Sequence, residues 1–181
     1  AQAPAGLLCR VVVTHNLPAA PLSGEGLPFE LLQIHNPRPL GFGANHNQAF
    51  AHVASPFFCV LNPDMRLTDP ALWSQLLGAA SLPGAGAVTA TLLNADGSVQ
   101  DNQRALVTPW ALFRRRVLRR PERGTDWYSA ALLLMPSSAY RAVGGFDERF
   151  HMYCEDVDLC LRLQLAGLRL TRVPGTAQHH A

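Results

Sequence analysis

An α/β fold is predicted by three observations. Short apolar runs of strand length recur at Leu7–Val13, Phe29–Ile34, Phe57–Leu61, Ala87–Leu93, Ala130–Met135 and Leu168–Val173. Segments with helical spacing or helix punctuation lie between many of them. Strand and helix alternate through the first half. Together these predict one α/β domain over residues 1–181, with a mixed, mostly parallel sheet flanked by helices and a Rossmann-like first half.

Leu7–Val13 (LLCRVVV) is apolar and rich in β-branched residues, as a buried strand requires, and Thr14-His15-Asn16 closes it. Leu17–Pro28 carries three prolines and two glycines and reads as a loop. Phe29–Ile34 returns as a strand ending at His35-Asn36-Pro37. The glycines of LGFGANHNQAF predict a tight turn, followed by a short helix over Asn45–Ala54 that Ser55-Pro56 stops. Phe57–Leu61 (FFCVL) is the clearest buried strand. Asp69-Pro70 predicts an N-cap and first helical position, with the helix running to Ala80. Ala87–Leu93 is a strand, and Asn94-Ala95-Asp96-Gly97 has hairpin-turn chemistry. Ala130–Met135 is a strand. Pro136–Val143 is a short helix stopped by Gly144-Gly145. Val157, Cys160, Leu161 and Leu165 share one face of a helix over Asp156–Ala166, which Gly167 ends before the last strand.

Composition narrows the function. Of the 181 residues, 48% are hydrophobic and 15% charged, so the chain is globular rather than disordered. A formal charge of +2 gives no strong pull toward nucleic acid. The four cysteines, Cys9, Cys59, Cys154 and Cys160, have no CxxC spacing and read as reduced thiols of a cytoplasmic protein. No apolar run reaches the roughly 18 residues of a membrane span. The chain opens Ala-Gln-Ala-Pro without the features of a secretory signal, so a trimmed start is expected.

Four groups of residues have chemistry to offer, and each has a plainer reading. Asp64 follows FFCVL through Asn62-Pro63. A carboxylate beyond the carboxyl end of a strand can hold a divalent cation and through it a diphosphate, or it can satisfy its own turn. Glu155, Asp156 and Asp158 open a helix. They can complement its dipole, with Asp158 pairing to Arg162, or supply a general base beside the apolar segment Phe150–Cys154. The dipole favours ionised Asp156, whereas the charge of Glu155 and burial against Tyr153 and Phe150 oppose it. Gly41, Gly43 and Asn45 can present backbone N–H groups to phosphate or simply turn the chain. His179 and His180 are metal ligands or a solvated tail. Finally, residues 109–120 (PWALFRRRVLRR) alternate apolar side chains with five arginines, which suits either an anionic membrane surface or a solvated helix.

In order along the chain, VVVTHN, NPRPLGFGANHNQAF, FFCVLNPDMRL, NADGSVQ and TDWYSAALLLMPSSAYRAVGGFDERFHMYCEDVDLCLRLQLAGLRLTRVPG resemble the family-two glycosyltransferases, especially their rhamnosyltransferase-like branch. The GGFDERF…EDVDLCLRL block is the most specific part. The resemblance implies a GT-A fold, a donor-binding half over about 1–93 and an acceptor half over about 94–181. It implies a nucleotide-diphosphate sugar donor, with dTDP-rhamnose suggested by the branch, and a glycan or lipid-linked acceptor. It further implies a divalent metal, Mn²⁺ or Mg²⁺, and transfer with inversion. In that frame Asp64 binds metal and donor, and His179 or His180 approaches the metal. Asp156 is the base, with Glu155 beside it. Thr14 and Asn16 lie near the nucleotide, and Gly41, Gly43, Asn45 and Asn47 line the donor pocket.

The chain departs from the family in two places. No helix is expected between the first two strands, and His35 stands where an acidic residue is usual, unless that strand is absent and Asn36 belongs to the next motif. The chain also stops just past its final histidines, as a compact enzyme or a shortened one would. The same pattern admits an inactive nucleotide-sugar-binding protein of this fold, or a partner-binding α/β module whose acidic cluster only caps a helix. An enzyme acting in polysaccharide biosynthesis, at most peripheral at the inner membrane face, is the expectation.

Overall fold

The computed structural model describes residues 10–100, 103–104 and 126–179. Strands β1 (Arg10–His15) and β2 (Glu30–His35) pair in parallel, residue for residue from Arg10↔Glu30 to His15↔His35. Residues 16–29 join them without a helix, as the prolines and glycines there predict. The second strand is therefore present, with His35 as its last residue.

Helix α1 (Phe42–Phe50) begins three residues before the expected start, with Gly41 as its N-cap. The glycines that read as a turn sit in the first helical turn because of close packing. A side-chain carbon on Gly43 would lie 2.7 Å from Phe146 Cβ, so only glycine lets α1 approach that segment.

A five-stranded sheet follows, built from β3 (Phe57–Leu61), β4 (Met65–Arg66), β5 (Ala85–Leu93), β8 (Leu132–Pro136) and β9 (Arg169–His179), in the order β3-β8-β5-β9-β4. Strands β6 (Gln103–Arg104) and β7 (Trp127–Tyr128) form a separate antiparallel pair. The sheet is mixed, but the expected parallel majority is not found among the described pairings. Only β1–β2 and β5–β9 are parallel, whereas β3–β8, β5–β8 and β4–β9 are antiparallel. The reason lies in the connections: β8 starts opposite Leu61, the residue that ends β3, and so runs back along the sheet. An apolar run such as LLLMP reads the same in either direction.

Alternate residues divide the core. Phe58, Val60, Ala87, Leu133 and Met135 face one layer, packed under α1, α3 (Ser137–Ala142) and α4 (Glu155–Leu165). Val88, Ala90, Leu92, Leu132 and Leu134 face the other, under α2 (Leu72–Ala80). Helices on both faces of one sheet make the three-layer α/β arrangement. Helix α2 starts two residues later than Asp69-Pro70 suggested, although Asp69 still caps its entry, accepting the Ala71 N–H at 2.8 Å. Asn94–Gly97 turns as expected, with Asn94 N–H donating to Ser98 O and Gly97 at φ 82°.

Strand β9 continues past Pro174-Gly175, where it shifts register against β5, and ends at His179. Three residues, Asn62–Asp64, connect β3 to β4 although these strands stand at opposite ends of the order. Four Cα steps span at most about 15 Å, less than the roughly 19 Å of four flat strand spacings. The sheet must therefore curl at this edge, and the curl gathers side chains there.

Candidate active site

The gathered edge is formed by the end of β3, the start of β8 and the end of β9. Asp64 lies in the β3–β4 turn and is largely exposed. His179 pairs in register with Met65, so its ring reaches the turn, and Nδ1 stands 3.3 Å from Asp64 Oδ2. Of the residues expected to hold a metal, the structure thus brings these two together; His180 lies outside the described residues. One carboxylate oxygen and one imidazole nitrogen make a donor set that suits Mn²⁺ better than Mg²⁺, which prefers oxygen throughout. No group of three or more His, Cys, Asp or Glu side chains able to hold a metal occurs among the described residues. A cation bound here would draw its remaining ligands from water and from a bound diphosphate, so the residues fit a metal shared with substrate.

Asp156 joins the same edge from α4. Its Oδ2 accepts the Ala130 N–H at 3.4 Å, just before β8, and its Oδ1 accepts the Val157 N–H at 2.8 Å. Burial raises its pKa, opposed by these backbone N–H groups. The dipole expected to keep Asp156 low is thus outweighed. Tyr153 is not the group that buries it, since that ring is exposed. Glu155 is buried, its Oε2 has no hydrogen-bond partner, and its pKa is raised by burial first and by the charge of Asp156 second. Asp158 takes the plainer reading, pairing with Arg162 at 2.6 Å one turn along the helix.

The expected donor-pocket residues divide into two groups. Asn16, Asn36 and Asn45 form an amide cluster at the ends of β1, β2 and the start of α1. Asn36 Nδ2 donates to Asn16 Oδ1 at 2.9 Å and to Asn45 Oδ1 at 2.7 Å, while Asn16 and Asn45 each donate to Leu40 O. Asn36 Oδ1 is buried and has no hydrogen-bond partner. Thr14 lies one residue from the end of β1. Beside it His15 and His35 stack at 4.5 Å.

Asn47, Gly41 and Gly43 serve a different purpose from the one expected. All four hydrogen-bonding positions of Asn47 are engaged: Nδ2 donates to Phe146 O and Glu148 Oε1, and Oδ1 accepts from Tyr140 Oη and Phe146 N. Asn47 is thus a clamp on the segment preceding α4 and has nothing left for a donor. Gly41 meets His151 so closely that an added side-chain carbon would lie 2.6 Å from its carbonyl oxygen, which accepts the Phe42 N–H at 3.0 Å. Sequence reasoning missed Asn36 as the centre of the cluster and Asn47 as a clamp, because polar partners far apart in the chain leave no periodic signal.

Other features lie apart from this edge. A hollow of about 600 Å³, lined by Pro56, Phe57, Leu82, Ala85, Pro136 and Ala142, sits where β3 and β5 begin, at the opposite end of the sheet. Cys59, Cys154 and Cys160 form no disulfide, and burial pushes the Cys59 and Cys160 thiols up to about 12. No helix among the described residues is long and apolar enough to cross a membrane. The basic segment 109–120 lies outside the described residues.

Comparison with known proteins agrees with this architecture. A family model described as the N-terminal domain of galactosyltransferase matches residues 119–181. An N-acetylglucosaminyl-diphospho-decaprenol L-rhamnosyltransferase of Mycobacterium tuberculosis is 31% identical over 170 residues, covering 78% of this chain and 55% of the relative. The rhamnosyltransferase WbbL of Escherichia coli is 51% identical over 57 residues, 31% of this chain and 22% of its own length. The crystal structure of GalNAc-T7 with UDP, GalNAc and Mn²⁺ superposes with a TM-score of 0.70 at 12% identity, over 96% of this chain and 37% of that one. The chain spans about half the length of the mycobacterial relative and less of the other two proteins. With its mixed sheet between helices the chain has the GT-A fold, and in sequence it is similar to family-two glycosyltransferases of the rhamnosyltransferase-like branch.

Proposed function

We propose that this chain carries the catalytic centre of an inverting glycosyltransferase that moves a sugar from a nucleotide-diphosphate donor to a hydroxyl of a glycan or lipid-linked acceptor. The observation that carries the reading is that His179 Nδ1 stands 3.3 Å from Asp64 Oδ2 just past β3, while Asp156 is bound to the Ala130 N–H just before β8, the strand that pairs with β3. The M. tuberculosis relative is named for transfer of L-rhamnose to a decaprenol-linked sugar, which supports a dTDP-rhamnose-like donor and a lipid-linked acceptor. Residues 1–93 hold the donor in this reading, and 94–181 the acceptor.

Each residue has a part. Asn16, Asn36 and Asn45 fix the ends of β1 and β2 beside the nucleotide. Asp64 and His179 would hold a divalent cation, which supplies positive charge against the departing diphosphate. Asp156 takes the proton from the acceptor hydroxyl as that oxygen attacks the anomeric carbon. Burial raises its pKa, which makes it a stronger base than an ordinary carboxylate. The two backbone N–H groups on its oxygens hold it in place.

A thermal-shift screen of nucleotide sugars with Mn²⁺ or Mg²⁺ tests the donor side, because a ligand of the native state raises its stability by RT ln(1 + [L]/Kd). A metal-dependent rise with one nucleotide sugar, followed by transfer to an acceptor, is expected. Binding without turnover would instead mark an inactive binding protein, and no binding with any donor would leave a partner-binding module.

A further inference from the structure

Strands β5 and β9 run in parallel, but between Thr89↔Arg172 and Thr91↔Thr176 β5 advances two residues while β9 advances four. Two extra residues therefore sit in β9, within Val173-Pro174-Gly175, opposite Ala90. Had the register of Arg172 continued, Thr176 rather than Gln178 would lie beside Leu93. His179 would then fall two residues, about 7 Å, past its present place. The bulge draws it back to Met65, and so to within 3.3 Å of Asp64. An even insertion also keeps the alternation of side chains. Val173 and Ala177 are buried in the α2 layer, Gly175 meets Leu72 of that helix, and His179 continues the same side.

Bulged residues lose their ladder partners, so their N–H groups need acceptors from elsewhere. Pro174 has no N–H to satisfy. The Gly175 N–H donates to Gln75 Oε1 at 2.8 Å, and the Thr176 N–H to Asp69 Oδ2 at 3.3 Å. Both acceptors come from the start of α2, 100 and 107 residues away in sequence. They sit directly against the bulge: an added side-chain carbon on Gly175 would lie 3.0 Å from Gln75 Oε1 and 3.1 Å from Asp69 Oδ2. Capping α2 uses only Oδ1 of Asp69, which accepts the Ala71 N–H, and a serine hydroxyl would serve there as well. The second carboxylate oxygen and the Gln75 amide are left for β9.

We infer that Asp69 and Gln75 are positioning residues for His179: by latching the two extra residues of β9 they fix the register that sets the imidazole beside Asp64. This role rests on the reading of Asp64 and His179 as holders of a divalent cation, and it extends that site to the entry of α2.

The test uses the full chain, first without metal. Gln75→Met keeps the length and removes the acceptor, and Asp69→Ser keeps a capping oxygen and removes the second one. In the parent, NOEs should join the cross-strand neighbours Met65 and His179, and likewise Val88 and Thr171 ahead of the bulge. In the double variant the first should vanish and the second persist, and Mn²⁺-dependent binding of dTDP should weaken at least tenfold. Leu77→Ala, a packing loss in the same helix, should lower the melting temperature and leave the NOEs and the affinity in place. Met65–His179 NOEs that survive in the double variant overturn the latch, and so does their loss in Leu77→Ala. Gln75→Met alone is held to the same outcomes if the double variant does not fold. If the NOEs vanish but dTDP binding is absent from the parent, or is unchanged by the loss, the metal reading falls and the latch stands. If Asp64→Ala abolishes binding while the double variant keeps the NOEs, the latch alone falls.

Discussion

Asp64 Oδ2 and His179 Nδ1 stand 3.3 Å apart, joined by a curled sheet edge rather than by proximity in the chain. If they share a cation with the donor diphosphate, losing either removes one protein ligand. Asp64→Ala should abolish metal-dependent nucleoside-diphosphate binding with the fold intact. His179→Ala should weaken it at least tenfold, about 1.4 kcal/mol. Calorimetric titration with and without Mn²⁺ decides, and unchanged metal-dependent affinity in Asp64→Ala would end the assignment.

Asp156→Asn keeps the shape and, with its one acceptor oxygen, one of the two backbone contacts, but cannot take a proton. Transfer should fall by roughly two to four orders of magnitude, the range of a lost general base, with donor affinity little changed. Since the pKa of Asp156 is raised, transfer should also decline as pH falls through that raised value, earlier than for an ordinary carboxylate. Glu155→Gln should be milder. Turnover of both variants with one acceptor is the measurement, and a dead Glu155→Gln beside an active Asp156→Asn would exchange the two roles.

Asn47→Ala removes an amide that satisfies Phe146 N and O, Tyr140 Oη and Glu148 at once. It should destabilise the chain by about 2–3 kcal/mol, because buried backbone groups are left unpaired. Below the melting temperature, nucleotide affinity should hold. Denaturant unfolding and nucleotide titration of the same variant separate a clamp from a donor contact; lost affinity at unchanged stability would restore the latter.

His46, packed at 4.4 Å against Phe42, has its pKa lowered by burial from 6.5 to about 4. The unfolded chain therefore binds a proton between these values that the native one does not. The contribution is fully present above pH 6.5 and is lost as pH falls through about 4, amounting to as much as about 3 kcal/mol. His46→Phe should flatten melting temperature against pH over this window. A variant that follows the parent curve would show that other groups govern acid stability.

Residues 109–120 offer an anionic membrane five arginines among apolar side chains. Flotation with anionic liposomes should show salt-sensitive binding, reduced when Arg114, Arg115 and Arg116 become Ser. Binding that ignores this replacement, or none at all, removes the membrane contact.

What the sequence made legible is what periodicity and punctuation encode. FFCVL was readable as a strand because it is apolar and bounded by Pro56 and Asn62-Pro63, and α4 because Gly167 stops it. Of the face read there, Val157, Cys160, Leu161 and Leu165, only Cys160 is buried and Leu165 is exposed, the buried stripe running through Leu159, Cys160 and Leu163. Strand direction was not readable, since orientation belongs to the connection. Pro174-Gly175 read as a strand end, yet β9 crosses it with a register shift and so delivers His179 to Asp64. Gly41 and Gly43 read as a turn, plain or phosphate-binding, because glycine signals close approach without saying to what; here the neighbours are His151 and Phe146. The motif resemblance supplied Asp64 and Asp156, whereas their convergence is a property of the curled edge.

The clamp at Asn47 has a kinetic side as well. Its bonds to Phe146 span a sequence separation of 99, so forming them closes a loop whose entropy alone costs roughly 4 kcal/mol. Contacts of that range make folding slow, and the expectation is that this clamp closes after the rate-limiting step. A defect at Asn47 should therefore leave the refolding rate nearly intact and appear as faster unfolding. Such a chain would reach its native state on schedule and fail by not staying there.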